Sequence, residues 1–419
     1  MKTLIDLCQT LRDPTIIFCS SPKSAADVAR ALVPSAAPPK HIATDAANWV
    51  GHHYHPDWHF VKGLRKGVGI HHGRIPRALA RYAVAAFNSG AIRFLVCTST
   101  PIKGVNTEDK NVIIYRDKIT RRSIDFFTFD NIEGRPGRMG QHCIGRLHLF
   151  NPAPSDPLPL VDIPLLSQPD NTSRSLLIQI DNEALTTRSK KKLEAFLKQE
   201  FLDYETLRNN VGIDQQGQIE IAKEISSNLE KYVPMLKWRG TPNYAQVSGI
   251  CDLIWKPFRC SRLGAGSAVS PNQLGFKLIR LHDAPSTRAL IQEAFAYCHD
   301  ADQAVQQVLD FLNLWANFHF PQLLRALDRI QKDVFQRFGL RSGDYGVYAA
   351  KIANRFVDPS LVALEEYGVP LEVALKLHRY LRPYSNVDDA LANLRRLPLE
   401  KMNLFGFERA VVEDAQKTL

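Results

Sequence analysis

The chain has 419 residues, 45% of them hydrophobic and 23% charged, which is enough apolar content for two or three domains with cores of their own and too much for a disordered protein. No run of eighteen apolar residues occurs, and the opening MKTLIDLCQTLRDPT puts acids and polar residues where a signal peptide needs an unbroken apolar stretch, so a soluble, cytoplasmic protein is expected. The net charge of +10 is uneven: residues 1–150 hold 21 Lys+Arg against 11 Asp+Glu, while residues 151–419 hold 32 of each. The first third is therefore the part expected to face a polyanion, nucleic acid or nucleotide phosphate, with a solvated basic surface as the alternative.

In chain order, TIIFC (15–19), FLVCT (94–98), NVIIY (111–115) and RLHLF (146–150) are short β-branched or aromatic runs that predict strands. Between them the period becomes helical. SSPKSAADVARALV offers Ser20 or Ser21 as an N-cap with Pro22 in the first turn. In PRALARYAVAAFNSG, Leu79, Tyr82, Ala83, Ala86 and Phe87 recur at helical spacing and NSG stops the helix. SIDFFTFDNIEGRPGRMG predicts a helix begun by Ser123 and ended at Gly134. This alternation is an α/β unit with a mostly parallel sheet, whose ligands are expected at the carboxyl ends of the strands. Six prolines in residues 151–170 rule out a regular helix and mark a boundary. Beyond it the pattern is mainly helical, in KKKLEAFLKQEF (190–201), in QIEIAKEISSNLEKYV and along an apolar-periodic stretch from Ala284 to Phe338. Seven cysteines without a C-x-x-C pair are expected as free thiols.

Two stretches carry phosphate chemistry. FLVCTSTPIKGVNTEDKNVIIY joins two strands through a hydroxyl-rich loop with Gly104 and Asn106, suited to backbone contacts with phosphate. In NIEGRPGR, Arg135 and Arg138 present planar forks for bidentate phosphate contacts, or, in the plainer reading, satisfy carbonyls at a helix end. A third group, His52, His53, His55 and His59, invites a metal reading, but Pro56 interrupts any helix that would align them and no cysteine or acid has ligand spacing; a histidine-rich loop without metal is expected.

With TIIFCSS as motif IV, HHGRIPRALARYAVAAFNSG as the following H-H-G segment, TSTPIKGVN as motif V and NIEGRPGR as motif VI, residues 1–150 resemble the second RecA-like domain of superfamily 2 helicases, and most the DExH branch with the Hel-type and Ski-type enzymes. The resemblance implies a RecA-like domain over 1–155; the prolines mark a connector over 156–174, and the pattern beyond it suggests a small winged-helix-like domain over 175–240 and a helical domain over 241–419. It implies Arg138 as an arginine finger and Arg135 as a second phosphate contact toward ATP with Mg, Gly104 and Asn106 beside that nucleotide, and Ser20, His72, Gly73, Thr98 and Thr100 along a DNA or RNA strand. The family's glutamine is replaced by Asn131, which is too short to carry over as a site residue.

The first RecA-like domain of such enzymes brings G-x-x-x-x-G-K-[ST] and an acidic D-E-x-x motif. Neither occurs here. The expectation is the C-terminal half of an ATP-dependent helicase or translocase, inactive as an ATPase until a first RecA-like domain joins it; the alternative is a non-catalytic nucleic-acid-binding or regulatory remnant. Trp238, Trp255 and Trp315 are expected in cores, with stacking on unpaired bases as the other option.

Overall fold

The computed structural model describes residues 1–36, 41–98, 110–115, 118–119, 122–124, 126–133, 145–154, 167–284 and 286–419. Five strands, β1 (Thr15–Phe18), β2 (Val68–His71), β3 (Phe94–Cys97), β4 (Asn111–Ile114) and β5 (Arg146–Leu149), form one sheet in the order β2-β3-β1-β4-β5. Every neighbouring pair is parallel, with Thr15 opposite both Phe94 and Asn111. The central strands β1, β3 and β4 are buried at every position, which is why they read as unbroken apolar runs. β5 lies at the edge and is partly exposed.

Helices α1 (Lys2–Thr10), α2 (Pro22–Leu32), α3 (His41–His53), α4 (His59–Leu64) and α5 (Arg77–Asn88) accompany the sheet. α2 starts as the sequence predicts: the Ser21 hydroxyl accepts the Ser24 amide at 3.2 Å and Pro22 occupies the first turn. α5 stops before Gly90, which takes a positive φ. Close helix–sheet approach is built into Gly63, where a β-carbon would sit 2.7 Å from the Val68 carbonyl oxygen. One expectation is corrected. Ser123 does not cap a helix: Arg122–Ser123 pairs antiparallel with Lys118–Ile119, and the helix runs over Phe126–Glu133.

The chain divides into two compact units, and neither is a continuous run. The first comprises Met1–Pro159, Ser286–Leu309 and Asp358–Leu419, the second Leu160–Pro285 and Asp310–Val357. These limits do not follow the linear plan expected at 155, 175 and 241. Periodicity reports that a segment is helical but not which core it joins. The apolar stretch 284–338 accordingly splits at Leu309/Asp310, with the helices Thr287–Cys298 and Ala301–Asp310 on the first unit's side and Phe311–Arg337 in the second; His299, left-handed, separates the first two helices.

In the second unit the described residues are helical apart from one isolated bridge between Arg239 and Asp344, so residues 175–240 carry no β-wing among them. Its core is aromatic. Trp238 stacks on Tyr345 with centroids 4.3 Å apart, and Trp315, fully buried, lies parallel to Trp255 at 6.2 Å. A π-helical run, Phe311–His319, carries Trp315 against the left-handed Gly264, where a β-carbon would stand 1.9 Å from the indole nitrogen. No described helix of the chain is long and apolar enough to cross a membrane.

Candidate nucleic-acid interface

Parallel register places the carboxyl ends of β2, β3 and β1 side by side. The ladder continues one residue past the strands, with the Thr98 amide donating to the His71 carbonyl at 3.2 Å and the Cys19 amide to the Cys97 carbonyl at 2.8 Å. His72, Thr98 and Cys19 are therefore in register along one edge, with Gly73 and Ser20 one residue further, beside β1, where the chain order reverses between β3 and β4. Ligands of open parallel sheets bind at such an edge. The N-terminus of α2, capped by Ser21, follows immediately after Ser20.

Burial separates these residues by role. Gly73 is exposed and Ser20 half-buried, but His72 and Thr98 are 3% and 7% exposed. The His72 Nδ1 accepts the Arg74 amide at 3.3 Å and so ties the turn after β2. Burial is the main cause that pushes His72 down to about 3, with His59 and His71 adding repulsion, and burial likewise pushes His71 down to about 4. Both imidazoles are neutral at physiological pH. The side chain of His72 is thus a support for the turn rather than a cation for a phosphate, and the surface it offers is the Gly73 backbone. Thr100, Gly104, Asn106, Arg135 and Arg138 lie outside the described residues.

Of the histidine group only His55 lies in a loop. His52 and His53 end α3 and His59 begins α4, with Tyr54–Trp58 between them. His53 stacks on Trp49 at 4.0 Å and its Nδ1 lies 3.0 Å from the Trp49 carbonyl. His59 is bound to Asp302, from the late segment 286–309: one carboxylate oxygen lies 2.7 Å from Nδ1 and accepts the His59 amide at 2.6 Å. The other accepts the Arg30 guanidinium at 2.9 Å. Burial works against this carboxylate, but the bonds and charge from His59 and Arg30 outweigh it and hold the Asp302 carboxyl below the usual range. Sequence reasoning missed Asp302, because no local pattern links positions 243 residues apart.

The same late segments dilute the basic excess of the first third. Residues 286–309 and 358–419 add 9 Lys+Arg and 13 Asp+Glu to the first unit. Arg30 pairs with Asp302, Arg77 with Glu366 and Arg81 with Asp414. EEYGVPLEVALKLHRYL (365–381), within the helical domain expected over 241–419, lies in this first unit, beside α5.

Comparisons with known proteins can now be set beside this geometry. The chain is 30% identical over 406 residues to anti-bacteriophage protein B of Escherichia coli K12, an alignment that takes in 93% of this chain and 55% of that protein. Over 87 residues it is 28% identical to a probable ATP-dependent RNA helicase DDX60-like of Homo sapiens, 21% of this chain and 5% of that protein. Over 80 residues it is 30% identical to a helicase POLQ-like of Drosophila melanogaster, 19% of this chain and 8% of that protein. No family model matches. The chain spans about half the length of the anti-bacteriophage protein and small fractions of the other two. A five-stranded parallel sheet of RecA-like type, followed by helices, and these shared stretches together relate the chain to helicase-like proteins.

Proposed function

We propose that this chain is the second RecA-like domain and helical C-terminal part of an ATP-dependent nucleic-acid translocase. The observation that carries this reading is the parallel sheet whose strand ends align Ser20, Thr98 and the His72–Gly73 turn along one edge. Similarity to proteins named as helicases supports it. The strand's backbone runs over that edge, held by the Gly73 backbone and the Ser20 hydroxyl, contacts that position phosphates without reading bases. Arg138 reaches the γ-phosphate of Mg–ATP, Arg135 supports it, and Gly104 and Asn106 line the nucleotide. The phosphate cradle and metal-binding acids come from a first RecA-like domain. Closure of the two domains on ATP and reopening after hydrolysis move the strand.

The test is ATP turnover stimulated by single-stranded nucleic acid. The 419-residue chain alone is expected to show none, and its assembly with a first RecA-like domain is expected to show turnover that Arg138→Ala lowers by about 10³-fold or more. Similarity to an anti-bacteriophage protein extends the reading to phage defence, so the same variant is expected to lose protection in a plaque assay. ATP hydrolysis by the chain alone, or undiminished turnover in the Arg138→Ala assembly, overturns the assignment.

A further inference from the structure

In the second unit, an open groove of about 450 Å³ is lined by Lys198, Gln199, Glu200, Phe201, Ser226, Arg337 and Phe338. Two of its walls are phenylalanine rings on separate elements, left 36% and 49% exposed. A lone exposed apolar residue needs no explanation, but this pair shares one groove and the loop that presents Phe201 is tightly held. The Gln199 carboxamide oxygen accepts the amides of Phe201 and Leu202, each at 2.9 Å. Arg337 donates to the Glu200 carbonyl at 2.6 Å, to Asp203 at 2.5 Å and to Asp333 at 2.8 Å, while Asp333 also accepts the Asp203 amide at 2.8 Å. These bonds fix the backbone around an exposed ring, so ordering it on binding costs little.

The surroundings select a polyanion. Residues 187–198 contain five Lys+Arg and one acid, Glu194. Lys190 and Lys191 are exposed, and Lys223 stands 6.0 Å from the centre of the Phe201 ring. Asp203 and Asp333 share the Arg337 guanidinium, and Glu200 is the groove's own acid. Lys198 and Arg188 form exposed pairs with Glu194 and Asp170, which a phosphate can displace. Lys223, Lys190 and Lys191 complete the basic side. The tryptophans Trp238 and Trp315, the larger stacking surfaces, are buried in the core and unavailable.

We infer that this groove binds an unpaired base of single-stranded DNA or RNA between Phe201 and Phe338, with the flanking phosphates against Lys198 and Lys223 and along the basic helix Thr187–Leu197. The inference rests on the nucleic-acid reading proposed above and adds a stacking site in the helical unit to it. Aromatic stacking is tolerant of sequence, and a positively charged approach supplies the rest of the affinity.

The test uses the full chain and twelve-nucleotide strands of DNA and of RNA carrying one 2-aminopurine. Phe201→Ala with Phe338→Ala is expected to weaken binding by about tenfold and to abolish quenching of the 2-aminopurine, while Phe201→Trp with Phe338→Trp restores both. Lys198→Glu with Lys223→Glu is expected to reduce the salt dependence of binding by one to two ions. Strand binding that persists at full strength and with full quenching in the double alanine variant overturns the inference and leaves the translocase reading standing. So does a loss of affinity that the tryptophans do not restore. Failure of the unaltered chain to bind either strand overturns both.

Discussion

The two units solve the problem of holding distant chain segments together with different chemistry. The first gathers three separate segments on a parallel sheet and fastens one of them through Arg30, Asp302 and His59, a polar clasp beside buried neutral histidines. The second packs its two segments through aromatic rings, Trp255 on Trp315 and Trp238 on Tyr345, and adds to that core a surface network of Arg337 and Asp333 with Asp203. A clasp built from charge and hydrogen bonds responds to pH and to loss of one partner. A stack of rings responds to volume. The clasp of the first unit is therefore the contact most exposed to loss of one ionic partner, and the stacked core of the second the contact most exposed to loss of volume.

The sharpest way to break this contrast is Trp315→Ala. Trp315 is fully buried, sits against Gly264 and stacks on Trp255. Its removal is expected to cost about 3–5 kcal/mol, the range for large aromatic deletions, with no dependence on pH. Hydrogen exchange followed by mass spectrometry reads it locally: peptides from 311–337 lose protection, and peptides from β1 and β3 keep theirs. If the sheet loosens equally, the units are one cooperative body and the contrast fails.

Asp302→Ala tests the other side. It strips three contacts from one carboxylate, leaving the His59 amide, the His59 ring and the Arg30 guanidinium without their partner. The expected cost is about 2–3 kcal/mol, because hydrogen bonds to a charged group are among the stronger ones and the His59 side is largely buried. Exchange is expected to accelerate in 59–64 and 301–309 while 311–337 is unchanged. Protection unchanged at the His59 amide sinks the clasp.

How much of this was legible in the sequence follows the range of the forces involved. Strands β1, β3, β4 and β5 were readable to within a residue, because central strands of a parallel sheet are apolar on both faces and even edge β5 keeps β-branched or bulky residues. Ser21 and Pro22 announced α2 because a cap is a local contact. Ser123 was misleading for the same reason: a hydroxyl ahead of an apolar run also suits a short ladder. Assignment of 286–309 and 358–419 to the sheet's unit was invisible, since helical periodicity is the same whichever core a helix meets. Of the candidate site, the placing of Ser20, Thr98 and His72 along one edge follows from strand order, but the inward turn of His72 does not, because burial is set by neighbours such as His59 that sequence spacing does not place. The stacking residues went the other way. Tryptophan drew attention for its size, and size is what drives it into the core, leaving Phe201 and Phe338 at the surface.

The smallest expected effect is the most specific to the first unit. A histidine free in the unfolded chain titrates near 6.5. In the folded chain burial pushes His72 down to about 3, so between those values the unfolded state holds the proton and the folded state does not. Stability contributed by neutral His72 is complete above about pH 6.5 and is lost as pH falls toward 3, at about 1.4 kcal/mol per unit, or about 2 kcal/mol between pH 7 and 5. His71 adds the same sign. In the second unit burial lowers His319 as well, with the same sign. Asp302 contributes nothing here, because its carboxyl stays ionised well below pH 5. His72→Asn keeps an acceptor for the Arg74 amide and removes the titration. Urea unfolding at pH 7 and 5, read through exchange in β2 and β3 peptides, is expected to show the variant flatter by about one proton's worth of slope. Equal slopes would mean that the unfolded-state histidines, not the buried turn after β2, set the acid response.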